Sequence, residues 1–406
     1  MTEQDVSPAQ GIWSEVIGQP AAVRTLTAAV RAARRALRGT GDVTGGAMTH
    51  AWLFTGPPGC GRSLAARAFA GALQCSDPDS LGCGACASCE TALAGTHADV
   101  TTVAPEGLSI SVSEMRSLVQ AAARKPSTGH WRIVVIEDAD RLTEGAGNAL
   151  LKAVEEPPER TVFLLCAPSD HPADVPVTIR SRCRPLQLRT PLTGAIAESL
   201  RHRDGVDAET AEWAASVCGG HIDRARRLAT DPQARQRRED VLRIPRGLRD
   251  LSEVFTEAGA LVRSAETEAS EMHEERNEAE KEELRTAMGA GGSGKGASSA
   301  AKGANAALKE LEKKQKARTT RSQRDALDLA LVDLAGFYRD VLATRFGASV
   351  PLNHPDFARE IRGAAEEWTS ETTLRRLEAV LRCRTALNRN VKPVVAVEAL
   401  AAELYR

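Results

Sequence analysis

The stretch that most constrains this chain runs from an apolar pentapeptide, Ala51-Trp52-Leu53-Phe54-Thr55, into Gly56-Pro57-Pro58-Gly59-Cys60-Gly61-Arg62-Ser63. The alanine-rich residues 64–70 follow as a helix former. Buried strand, glycine-rich loop and helix in that order make a phosphate-binding loop. Gly56, Gly59 and Gly61 let the backbone wrap until its N–H groups converge, and the helix N-terminus adds the positive end of its dipole. Ser63 stands where a hydroxyl reaches Mg²⁺. The motif's lysine is replaced by Arg62. An ordinary strand-to-helix turn would not need all of these features together.

The rest of the chain supplies a sheet around that loop. Residues 98–103, 131–136 and 161–166 are further strand candidates, the last two continuously apolar, as inside a parallel sheet. Helical patterns separate them at 111–125 and 147–156, the latter stopped by Pro157-Pro158. A helix over 21–37 precedes the first strand, joined to it by a Gly- and Thr-rich loop at 39–46. Strands alternating with helices predict a doubly wound α/β sheet with ligands at the carboxyl ends of its strands. Glu137 and Asp138 close the 131–136 strand at such an end. Phosphate-loop enzymes place there one acid for Mg²⁺ and one for the attacking water. A solvated strand end with a helix cap is the bland alternative.

Beyond Pro191 the strand signals stop, and residues 194–203, 208–218 and 222–230 read as three short helices. From about 241 onward the pattern is helical, broken by an acidic run at 266–283, a Gly-Ser linker at 289–294 and a basic run at 302–324. The two charged arms can pair as a helical hairpin. Few apolar residues lie between 266 and 316, so the expectation is a partly helical projection, open to protein or DNA contact.

A length of 406 residues predicts two to four domains, and a net charge of −1 gives no global field for nucleic acid. DNA contact therefore needs local basic patches or partner subunits. The N-terminal residues carry no targeting pattern and no apolar run reaches membrane length, which points to the cytoplasm and away from a membrane. Nine cysteines in such a chain favour metal over disulfides. Cys75, Cys83, Cys86 and Cys89 follow C-x7-C-x2-C-x2-C, a set that closes a tetrahedral structural zinc site and leaves no position for water. Scattered thiols or a redox pair are the alternative.

Together these motifs, with Val16-Ile17-Gly18-Gln19, Asn148 to Pro158 and Ser181-Arg182-Cys183, resemble the AAA+ subunits of the bacterial DNA polymerase III clamp loader, the delta-prime type above all. The resemblance is strong over 13–191 and nearly absent in the charged run. It implies an AAA+ parallel-sheet domain over 1–190, a helical lid over 191–240 and an all-helical collar over 241–406 with a charged insertion at about 264–324. It further implies a pentameric ring with motor subunits and a delta subunit, acting on a sliding clamp and primed DNA. Arg182, which composition alone does not single out, matches the arginine that reaches a neighbour's ATP site. Four positions depart from a motor subunit: Arg62, the reversed acids Glu137-Asp138, Ala167-Pro168 at the first sensor and Asp223 at the second. The expectation is a scaffold subunit with ATP or ADP weakly bound or absent. An active ATPase motor of the same family, or another AAA+ DNA-remodelling ATPase, is the alternative.

Overall fold

The computed structural model describes residues 11–39, 46–247, 250–287 and 297–405. The extreme N-terminus, most of the 39–46 loop and the 289–294 linker lie outside them. The described residues form two compact units, which divide between Thr230 and Asp231, apart from 106–108, which cluster with the second.

The first unit is built on five parallel strands: β1 (Ala51–Thr55), β2 (Val100–Val103), β3 (Arg132–Ile136), β4 (Thr161–Ala167) and β5 (Arg184–Gln187), in the order β2-β3-β4-β1-β5. Helices α1 (Pro20–Leu37), α2 (Arg62–Gln74), α3 (Ala87–Ala94), α4 (Val112–Ala122), α5 (Glu144–Glu155) and α6 (Val177–Arg180) cover it. Strand side chains alternate between two cores. Trp52, Phe54, Ile133, Val135, Val162 and Leu164 join the core that includes α1 and α2. Leu53, Val134, Ile136, Phe163 and Leu165 join the core of α4 and α5. Burial on both faces is why these strands read as unbroken apolar runs.

Local chemistry sets the helix ends. Pro20 opens α1, where its missing N–H costs nothing. Ser111 and Glu114 form a reciprocal capping box on α4. Residues 177–180 form the short helix α6, and β5 follows it at the sheet edge without an apolar run to announce it. The three expected short helices are present as α7 (Thr193–Arg203), α8 (Ala208–Val217) and α9 (Ile222–Thr230), within the first unit.

The second unit contains α10 (Pro232–Gly247), α11 (Leu251–Ala287), α12 (Ala297–Arg345), α13 (Ala358–Glu367), α14 (Ser370–Asn388) and α15 (Pro393–Tyr405). Its core is apolar where α11 carries Val254, Ala258, Leu261 and Val262 and α12 carries Leu327, Leu331, Leu334 and Phe337. The charged arms are not a partly helical projection: both continue these two helices as a hairpin. Polar pairs take over where apolar ones end. Arg318 meets Glu280 with two bonds of 3.0 and 2.8 Å, Gln315 donates to the Asn277 carbonyl, and His273 meets Ser322 at 2.7 Å. Among the described residues no helix is long and apolar enough to cross a membrane.

Candidate nucleotide and metal sites

The strand register brings the sequence-predicted groups to one edge. Thr55 of β1 pairs with Ala167 of β4, and Ile136 of β3 pairs with Leu165, so the loops leaving β1, β3 and β4 stand side by side. The loop after β1 has the expected backbone: Gly59 (φ 77°) and Gly61 (φ 92°) are left-handed, and Gly61 caps α2. A side chain at Gly59 is also excluded by contact, since its Cβ would lie 2.0 Å from the His221 ring.

The charged groups here are bonded to the protein itself. Arg62 Nη1 donates to the Gly56 carbonyl at 2.7 Å. The Gly56 N–H donates to the Pro168 carbonyl at 3.2 Å, and the Ile222 N–H donates to the Gly59 carbonyl at 3.0 Å. Glu137 Oε1 meets Arg67 Nη2 at 2.6 Å, while Asp138 sits in the left-handed region (φ 52°) with Arg141 at 3.9 Å. Burial, reinforced by the Asp138 charge, raises the Asp140 carboxyl, whose Oδ1 is buried without a hydrogen-bond partner. Burial also pushes the His221 imidazole down, and Arg224 and Arg62 add to that against Asp223. The loop's cation and its first acid thus each have a protein partner.

At the positions the resemblance implies as sensors, the polar groups are bonded locally. Ser169 donates to Asp174 at 2.6 Å, and Asp223 is an exposed residue 3.8 Å from Arg226. Sequence reasoning missed Arg67 and His221. Arg67 lies one helical turn beyond Ser63 on α2, a spacing that puts both on one face. His221 carried no local signal, since its contact with Gly59 spans the chain between β1 and α9.

The four cysteines are brought together from the end of α2, the following loop and the start of α3. Their sulfurs all lie within 4.8 Å of one another, with Cys75 and Cys83 at 3.7 Å and Cys83 and Cys89 at 4.0 Å. Tetrahedral coordination at about 2.3 Å per Zn–S bond puts sulfurs about 3.8 Å apart, so this set fits a single metal ion. The backbone N–H of Cys83 points at the Cys75 sulfur and that of Cys86 at the Cys83 sulfur, at 3.4 and 3.3 Å, which favours thiolates. Burial pushes the Cys89 thiol far up, while bonds from Ser76 and Cys89 outweigh burial at Cys86 and bring it to about 6. Gly82 (φ 120°) turns the loop, and the Ile12 N–H donates to its carbonyl at 3.0 Å, so the N-terminal turn at Gly11–Glu15 braces the cluster.

Arg182 follows α6. Its Nη2 meets Glu155, the last residue of α5, at 2.6 Å, and its Nη1 donates to the Thr178 carbonyl at 2.8 Å. Both partners of the ion pair are more than a third exposed, at 39% and 37%.

Comparison with known proteins bears on this arrangement. The family described as "DNA polymerase III, delta subunit" matches residues 40–191. The chain is 37% identical over 185 residues to the DNA polymerase III subunit delta' of Pseudomonas aeruginosa, covering 44% of this chain and 55% of that protein. It is 31% identical over 213 residues to the subunit gamma/tau of Mycobacterium tuberculosis, covering 51% of this chain and 34% of that one. A solved gamma subunit-related protein of Thermotoga maritima aligns over 87% of this chain and 94% of its own at 17% identity and a TM-score of 0.37. The chain thus spans about half the length, or less, of these curated relatives. Over the matched region, which holds the phosphate loop, the cysteine cluster and the Glu137-Asp138 strand end, this chain is similar to the delta' and gamma/tau subunits of DNA polymerase III.

Proposed function

We propose that this chain is a non-hydrolysing, delta-prime-like subunit of a DNA polymerase III clamp loader. In this reading it joins motor subunits and a delta subunit in a five-membered ring that loads a sliding clamp onto primed DNA. Residues 1–190 serve as the AAA+ domain, 191–240 as its lid and 241–406 as the collar. Cys75, Cys83, Cys86 and Cys89 hold a structural zinc that ties the α2–α3 segment to the N-terminal turn.

The observation that carries the non-hydrolysing part is the pairing of Glu137 with Arg67 at 2.6 Å. A carboxylate held by a guanidinium is less available to a metal or an attacking water, and phosphoryl transfer depends almost wholly on positioned charge. Arg62, bonded back onto Gly56, is a planar fork rather than the point charge the loop was built for. Arg182 is the group this subunit offers its neighbour. An exposed ion pair such as Arg182–Glu155 contributes only about 0–1 kcal/mol. A γ-phosphate developing charge is a stronger partner, so the guanidinium exchanges Glu155 for phosphate when a neighbour's nucleotide is presented.

The motor reading keeps one observation in its favour: the left-handed glycines and Ser63 are retained. The purified full-length chain separates the two readings. It is expected to show negligible Mg²⁺-dependent ATP turnover, and Arg62→Lys alone is expected not to create it, since Glu137 and the sensor positions stay altered. Robust turnover by the unmodified chain would replace the scaffold reading with the motor.

A further inference from the structure

Helix α1 is an 18-residue helix containing Arg24, Arg31, Arg34 and Arg35 and no acidic residue, and Arg38 follows it at its C-cap. Its buried face is apolar, with Ala22, Leu26, Ala29, Val30 and Ala33 in the core. At 100° per residue Arg24, Arg31 and Arg38 fall within about 20° of one line on the opposite face. All three are exposed, and among the described residues none has a carboxylate within ion-pair distance. Arg35 flanks the line and is also exposed. Arg34 lies to the side, donating to the Pro78 and Cys75 carbonyls at 3.0 and 3.4 Å.

Helix stability does not account for this stripe. Cations in the last turn complement the macrodipole, which covers the arginines near residue 38, but Arg24 sits in the N-terminal half, where the dipole favours acids. Nor does net charge, which is −1 for the whole chain. From Arg24 to Arg38 the line spans about 21 Å at 1.5 Å per residue, about six base-pair steps of duplex. Thr27 and Ala28 between the arginines are small, so the face lacks the aromatic anchors of a protein interface and the apolar side chains that enter a membrane. Guanidinium groups suit phosphate oxygens geometrically.

We infer that the outer face of α1 is a docking strip for the phosphate backbone of double-stranded DNA, through Arg24, Arg31 and Arg38, without base reading. It is separate from the loop after β1 and stands or falls independently of the ATP-site reading. The test measures binding of the full chain to a fluorescent 20-base-pair duplex by anisotropy at several salt concentrations, for the wild type and for Arg24→Gln/Arg31→Gln/Arg38→Gln. At about 0.9 counterions released per contact, the variant's log–log salt slope falls by about 2.7, so its affinity changes about 40-fold less between 50 and 200 mM salt. The Arg→Lys triple variant keeps the slope, which separates lost charge from lost fold, and melting temperatures are expected to match. An unchanged slope in the Gln variant, no duplex binding by the wild type at low salt, or equal affinity for polyglutamate or single-stranded DNA of matched charge would each overturn the inference.

Discussion

At the scale of single residues, the clearest dependence of stability on one side chain is at Asp99. Its carboxylate is fully buried at the start of β2 and accepts from the N–H groups of Ser127, Thr128 and Gly129 at 2.7–2.8 Å, with Arg132 at 3.3 Å. Burial works against ionisation, yet these donors outweigh it and hold the carboxyl well below its usual range. A depressed folded value means the stabilisation is complete above the unfolded value of about 3.9 and is lost as pH falls below it. Asp99→Asn, which cannot accept from every donor, is expected to cost about 2 kcal/mol at pH 7. The deficit should begin to shrink below about pH 4, where the unfolded wild type takes up a proton while the folded carboxylate stays ionised, and should keep shrinking towards the depressed folded value. Denaturant titrations at pH 7 and pH 3.5 check both statements. A constant deficit would show that the charge is not what the Ser127–Gly129 turn requires.

At the scale of elements, two segments respond differently to removal. The α2–α3 segment depends on its metal: Cys86→Ser is expected to lower zinc content from about one per chain to none and to loosen 75–89, while the β-sheet stays folded. Elemental analysis with limited proteolysis reads both, and metal-free fresh, reduced wild type would contradict the assignment. The distal hairpin depends on little. Past Ala269 the two arms meet through polar contacts, and among the described residues the Arg318–Glu280 pair is the best buried of its ion pairs. Replacing residues 277–318 with a short linker is expected to shift the melting temperature by less than about 3 °C, on the order of 1 kcal/mol. A larger loss would show that the hairpin supports the apolar core below it.

The same contrast explains what the sequence disclosed. Strands β1, β3 and β4 were legible because both faces are buried and their apolar runs are continuous, and α1 and α4 because their apolar spacing is helical. β5, with Arg184 and Gln187 at its ends on the sheet edge, has no such run. The hairpin was legible as two oppositely charged arms able to pair, but not as two continuous helices, because long polar helices gain their order from pairing rather than from an apolar face. At the nucleotide site the glycines, Arg62 and Glu137 were visible in order along the chain. The partners that occupy them were not: Arg67 and His221 meet them only through the fold.

At the scale of the molecule, one chain joins three properties: a parallel-sheet domain similar to that of DNA polymerase III delta' and gamma/tau subunits, a phosphate loop whose charges are bonded internally, and an exposed arginine held loosely by Glu155. In the proposed reading, a subunit of this kind acts through its neighbour. Arginines that reach a phosphoryl-transfer site in trans are worth on the order of 10³–10⁵ in rate. Only one interface of the ring would lose its arginine on substitution, so clamp loading should suffer more than summed ATP turnover if every site must fire. Glu155→Ala frees the same guanidinium and should leave loading near the wild-type rate, since the pair is weak. The most direct measurement is clamp loading onto primed DNA by the complex reconstituted with Arg182→Ala. The account predicts normal assembly, unchanged zinc content and melting temperature, and markedly slower loading. A variant that melts lower while its complex loads at the full rate would show that Arg182 serves only its own domain through Glu155, and would contradict the trans-acting role.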